Sequence, residues 1–169
     1  MRHLLPILLG IFFAPGCASR PPMQTVEQVD LARYAGTWYE VARFPHSFEK
    51  GMTNVSATYV VQDDGTVKVI NAASKENGSK TSITGKAWRP DPAFAGRLKV
   101  RFFWPFYGSY WIIGLDPDYR WAVVGHPSRS YLWFLTREKS PPPETWKTLE
   151  SIALGQGYDL TPLIRVKQE

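Results

Sequence analysis

Between Thr37 and Arg137, apolar and polar residues alternate in short runs, each rich in β-branched and aromatic side chains and bounded by turn residues. The runs fall at about 37–44, 53–62, 66–73, 80–89, 97–103, 109–115, 121–125 and 131–137, which predicts eight strands with no helical spacing among them. Helical periodicity follows Ser140-Pro141-Pro142-Pro143, where Trp146, Leu149, Ile152 and Ala153 recur at steps of three and four. Gly155 or Gly157 ends that helix, and a ninth short strand is expected around 162–166. Upstream, Asp30 is placed to cap a single turn over Leu31 to Tyr34 that Gly36 terminates.

The connections differ by turns. Asp63-Asp64-Gly65, Asp91-Pro92 to Gly96, and Asp116-Pro117-Asp118-Tyr119 are compact. Pro45 to Met52, Ser74 to Ser79, Trp104 to Gly108 and Gly125 to Ser130 are longer or more apolar. In an up-and-down meander alternate connections share an end, so the compact turns gather beside Trp38 and the others form an opposite rim. Trp38 then floors a cup, and Arg137 at the end of the last strand lies over its indole. The predicted fold is all-β, an eight-stranded antiparallel up-and-down β-barrel with one C-terminal α-helix packed outside. Gly36, Trp38, Asp118, Tyr119 and Arg137 are its structural residues.

A barrel of eight strands has room for one small ligand or a packed core. If Trp38 points inward, alternation puts Glu40, Ala42 and Phe44 on the lumen face. Ala42 and Ala57 leave volume there. Trp133 lies two alternation steps from Arg137 toward the mouth, and Phe106 and Tyr107 sit in a rim loop. Glu40, Ala42, Ala57, Phe106, Tyr107 and Trp133 are the candidate ligand contacts, with core packing as the rival explanation for the three rings. A carboxylate in an apolar cup has its pKa raised or is paired with a cation. Glu40 therefore either hydrogen-bonds a head group or satisfies an internal cation.

The 169 residues fit one domain, and the formal charge of +5 lacks the clustered basic stripe of a nucleic-acid binder. Aromatic residues make up 14 %, enough to line a concave site generously. Residues 1–16 read as a lipoprotein signal peptide: Arg2 and His3 precede an apolar run too short to span a bilayer, then small residues lead to Cys17. Cys17 is the single cysteine, so no intramolecular disulfide is expected. Lipidation of its thiol is one reading, and ordinary signal cleavage beside an incidental cysteine is the other. Residues 17–29 form a tether and 30–169 the barrel domain. His3, His46 and His126 show no zinc spacing, and no nucleophile–base pair or phosphate cradle is evident, so neither an enzyme nor a metal or cofactor site is expected.

Gly36-Thr37-Trp38, the Asp116 to Tyr119 turn, Arg137 after Tyr131 to Thr136, and the single following helix resemble the lipocalin family over residues 30–166. Gly36 to Phe44, Lys99 to Gly108 and Tyr131-Leu132-Trp133 are similar to its bacterial outer-membrane lipoprotein branch, the apolipoprotein D-like branch. That resemblance implies a fatty acid or lysophospholipid as ligand, close to Tyr107 and Trp133. It also implies an acyl anchor on Cys17 in the outer membrane, facing the periplasm, a monomer or homodimer, and a role in envelope lipid storage or transport. Carriage of another hydrophobe (tetrapyrrole, retinoid or sterol) and a filled barrel serving protein interactions remain open.

Overall fold

The computed structural model describes residues 21–169. The expected signal segment and Cys17 lie outside that range. The Asp30 carboxylate accepts hydrogen bonds from the amides of Ala32 and Arg33, starting the single turn α1 (Leu31–Tyr34). Gly36 follows with φ of +92°, a conformation that L side chains rarely adopt. A Cβ there would also lie 3.3 Å from Arg137 Nη1.

Eight strands then run in sequence: β1 (Gly36–Arg43), β2 (Thr53–Val61), β3 (Val67–Ser74), β4 (Lys80–Trp88), β5 (Arg97–Phe103), β6 (Phe106–Leu115), β7 (Trp121–Gly125) and β8 (Leu132–Thr136). Each pairs antiparallel with the next, and β1 pairs with both β2 and β8, so the expected barrel closes. The compact turns gather at the end of Trp38 and Arg137, leaving the other end as a mouth. Most boundaries fall within a residue or two of the sequence expectation, and the largest difference is at the start of β6. The Phe103–Phe106 pair carries the β5–β6 ladder up to Trp104 and Pro105, so Phe106 and Tyr107 belong to a strand rather than a loop.

The helix α2 (Pro143–Gly155) has proline at its first position and lies outside the barrel, across β6 and β7. Leu149 and Ala153 on its inner face are fully buried, and a fully buried leucine contributes about 1.5–3 kcal/mol. Gly114 permits this close approach, because a Cβ there would meet Ile152 Cγ2 at 2.9 Å.

A β-bulge in β1 between Glu40 and Ala42 overturns part of the lumen reading. One extra residue reverses the phase of every later side chain. Ala42 and Phe44 therefore pack outward among Met23, Leu132, Leu149 and Tyr158 rather than into the cup. Arg43 takes the inward position instead.

Pairing of β1 with β2 covers only Gly36 to Tyr39. Toward the mouth the short strand β9 (Ile164–Arg165) and the residues after it occupy the widening seam. Asn54 N donates to Lys167 O, and the Gln168 side-chain amide donates to Glu40 O at 2.7 Å and to Val55 O at 2.8 Å. One glutamine side chain thus joins the two strands where their own ladder has parted.

Candidate ligand cavity

The barrel is hollow, which sets aside the filled-barrel alternative. Its lumen holds a cavity of about 850 Å³, within the range of small-molecule sites. Val67, Val69, Ala87, Leu98, Val100 and Ile112 supply apolar walls from β3 to β6. Of the candidate contacts, Glu40, Ala57, Phe106, Tyr107 and Trp133 line this space, and Ala42 does not. Ala57 stands opposite Trp38 on β1 and Asn71 on β3, so its small side chain leaves the wall recessed.

The base is sealed as a network. Arg137 Cζ lies 3.9 Å from the centre of the fully buried Trp38 ring. The guanidinium donates to the carbonyls of Arg33, Tyr34, Ala35, Thr37 and Tyr119, while the indole nitrogen donates to Tyr34 O. Tyr119 has φ of +59°, accepts at its hydroxyl from the Asp30 amide and lies under Arg33. The buried carboxylate of this turn belongs to Asp116, gripped by Arg120, which holds its pKa below the usual range. Asp118, expected as a structural residue, keeps its side chain exposed, 3.9 Å from Arg120, while its backbone amide donates to the Asp116 carboxyl.

Just above the sealed base, three phenols line the cavity floor. The Tyr110 hydroxyl lies 2.8 Å from both the Tyr34 and the Tyr59 hydroxyl. Burial pushes all three pKa values up, so the hydroxyls keep their protons. Two hydrogen bonds use two of three protons, leaving one donor free at the floor. On the β3 wall the buried Asn71 Oδ1 has no hydrogen-bond partner among the described residues, which adds an acceptor.

Charge sits higher, inside the mouth. Glu40 Oε1 accepts from Arg43 Nη1 at 2.8 Å, and Arg43 Nη2 donates to Glu49 O at 2.6 Å. His46 Nε2 lies 3.0 Å from Glu49 Oε2. Burial, reinforced by the charge of Glu49, raises the Glu40 pKa to about 8 despite the arginine. The arginine thereby ties the β1–β2 connection, with its short 3-10 turn Ser47–Glu49, over the opening. An internal cation was one of the two readings of Glu40. Arg43 as that cation was not foreseen, because unbroken alternation points it outward.

Aromatic side chains form the rim. The His46 and Phe48 rings stack at 3.8 Å, and Tyr131 lies parallel to Trp133 at 5.7 Å. Phe48, Phe103, Trp104, Phe106 and Tyr107 are each 58–80 % exposed. No group of three or more His, Cys, Asp or Glu side chains gathers as metal ligands among the described residues.

These features define a β-barrel binding protein for a small hydrophobic ligand. The lipocalin-like domain family matches residues 29–168, and the chain belongs to the lipocalin family. Within it the chain falls in the branch of the bacterial lipoprotein lipocalins and apolipoprotein D. It is similar to the outer membrane lipoprotein Blc of Citrobacter freundii, with 41 % identity covering 98 % of both chains. It is also similar to apolipoprotein D of Bos taurus, with 33 % identity over 93 % of this chain and 89 % of that one. Among solved structures, insecticyanin from the tobacco hornworm Manduca sexta shares the fold at a TM-score of 0.72, with 20 % identity over 89 % of this chain and 87 % of that one.

Proposed function

We propose that this lipocalin holds a fatty acid or lysophospholipid, acyl chain down and head group at the mouth, as a lipid-anchored protein of the outer membrane facing the periplasm. The single observation carrying this reading is the cavity of about 850 Å³, with mostly apolar walls and an aromatic rim. A dozen buried methylenes contribute roughly 10 kcal/mol gross. Association costs of at least about 4 kcal/mol leave at most about 6 kcal/mol from these methylenes, a Kd no tighter than on the order of 10–100 µM before any head-group contact. The similarity to Blc, named an outer membrane lipoprotein, supports the location. Acylation of Cys17 fits it, and storage or transport of envelope lipid is the proposed role.

The test is titration of delipidated protein with palmitate and with lysophosphatidylethanolamine, following tryptophan fluorescence. Saturable quenching that Ala57→Trp abolishes without unfolding the barrel supports the reading. Absence of saturable binding by either amphiphile to the folded protein removes it.

A further inference from the structure

The start of the described chain is pinned at the mouth. Arg129, in the β7–β8 connection, donates from Nη2 to Pro21 O at 2.7 Å and from Nε to Gln156 O at 2.6 Å. Gln24 N donates to the Gln156 side chain, and Met23 is buried against α2. The segment then runs down the outside of the barrel. Val26 N donates to Ile112 O, and Asp30 reaches Tyr119 at the closed end. His126 and Tyr131, which flank Arg129, line the cavity opening. Pro21 therefore leaves the barrel beside the mouth.

Cys17 precedes Pro21 by four residues, which span at most ~14 Å fully extended. The ten residues of β6 run ~33 Å, and ordinary strand tilt leaves ~25 Å between the two ends. An anchor on so short a leash reaches the mouth and falls short of the closed base. Exposed charge agrees. The mouth connections and the start of β4 expose Lys50, Lys75 and Lys80 against Glu76, whereas at the base Asp63, Asp64, Asp91, Asp118 and Glu138 are offset by Arg33, Lys68, Lys86, Arg120 and Lys139. Cations near the mouth suit an anionic lipid surface. The five exposed aromatic rings at the rim suit the layer where head groups meet acyl chains.

We propose that the barrel sits mouth-down on the bilayer that carries its own anchor, so that ligand passes between cavity and membrane without crossing water. This rests on the reading of Cys17 as an acylated anchor.

The experiment uses the full-length protein, purified with its lipid and reconstituted into vesicles of phosphatidylethanolamine and phosphatidylglycerol. Single cysteines are introduced at the rim (Lys50→Cys, Lys75→Cys), at the base (Asp63→Cys, Asp91→Cys) and on the outer wall (Arg101→Cys), and carry a fluorophore quenched by a lipid-borne nitroxide. Acylation of Cys17 is read by mass spectrometry on the same samples. Quenching several-fold stronger at the rim than at base or wall supports the orientation. Equal quenching everywhere, or strongest quenching at base or wall, on protein confirmed as acylated overturns the orientation while leaving the anchor standing. A Cys17 found without lipid overturns both.

Discussion

The Arg137 guanidinium lies 3.9 Å above the Trp38 ring and collects carbonyls from two separate stretches of chain, residues 33–37 and Tyr119, so one side chain closes the base of the barrel. Neither residue borders the cavity. Replacing Arg137 by Met strands those acceptors and should cost about 3 kcal/mol, since hydrogen bonds to charged donors outweigh neutral ones. The melting temperature should fall by about 6–12 °C for a chain of this size. Ligand affinity at a temperature where the variant is folded should not change. A loss below about 1 kcal/mol in urea unfolding would show that the contact contributes little.

Glu40 predicts a pH dependence of definite sign. Its folded pKa of about 8 exceeds its ordinary 4.5, so the folded protein binds the extra proton between those values. The corresponding stability is complete below the ordinary value and lost as pH rises through about 8, at no more than about 1.4 kcal/mol per pH unit. Glu40→Gln, which keeps an acceptor for Arg43, should flatten that slope and be more stable than wild type at pH 8. Urea midpoints at pH 5 and pH 8 decide it, and parallel profiles for the two proteins would refute the assignment.

Tyr110 links two phenols, whereas Tyr59 and Tyr34 each end the chain. Tyr110→Phe removes both bonds and should cost about 1–3 kcal/mol, more than Tyr59→Phe, which removes one. Equal costs in denaturant unfolding would mean that the chain is not held as a unit.

Adjacent residues separate binding from folding. Trp133 borders the cavity, while Phe134 is fully buried in the layer under α2. Phe134→Ala should cost about 3–5 kcal/mol of stability and leave the affinity of the folded protein unaltered. Trp133→Ala should weaken palmitate binding about tenfold, near 1.4 kcal/mol, with a smaller loss of stability. Paired titrations and melts of both variants would expose Trp133 as plain core if the two losses match.

Much of this architecture was legible because strand formation is written at period two and turns by Asp, Pro and Gly. All eight strands and the outer helix emerged from those signals, and Trp38 with Arg137 located the base. What escaped reading depends on a single backbone irregularity and on long-range neighbours. Nothing local in Glu40-Val41-Ala42-Arg43 announces a bulge, so Ala42 and Phe44 were turned to the wrong face. The need of a buried carboxylate for a cation was the one clue to Arg43. Tyr34, Tyr59 and Tyr110 lie as far as 76 residues apart, and only the closed barrel brings their hydroxyls together. Asp116 and Asp118 share one turn, and which carboxylate goes inward is settled by Arg120.

Gln168 makes the seam between β1 and β2 testable. Its amide supplies two hydrogen bonds to the parted strands, so Gln168→Ala should cost about 1–2 kcal/mol. Amide exchange at Asn54, which donates to Lys167 O, should quicken at the same time. Unaltered protection at Asn54 would show that the seam holds without it.

The doubled-up position at Val41 gives this wall an unusual tolerance to length. Deleting that one codon would leave Glu40, Ala42 and Arg43 opposite Leu135, Phe134 and Trp133 in an unbroken ladder, with Ala42 still in the greasy layer beneath the helix and Arg43 still facing the interior. Glu40 would keep its counter-charge. A single-residue deletion here would therefore spare the polarity of the pocket, and laboratory libraries seeking new cargo can vary spacing at this point as well as side-chain identity.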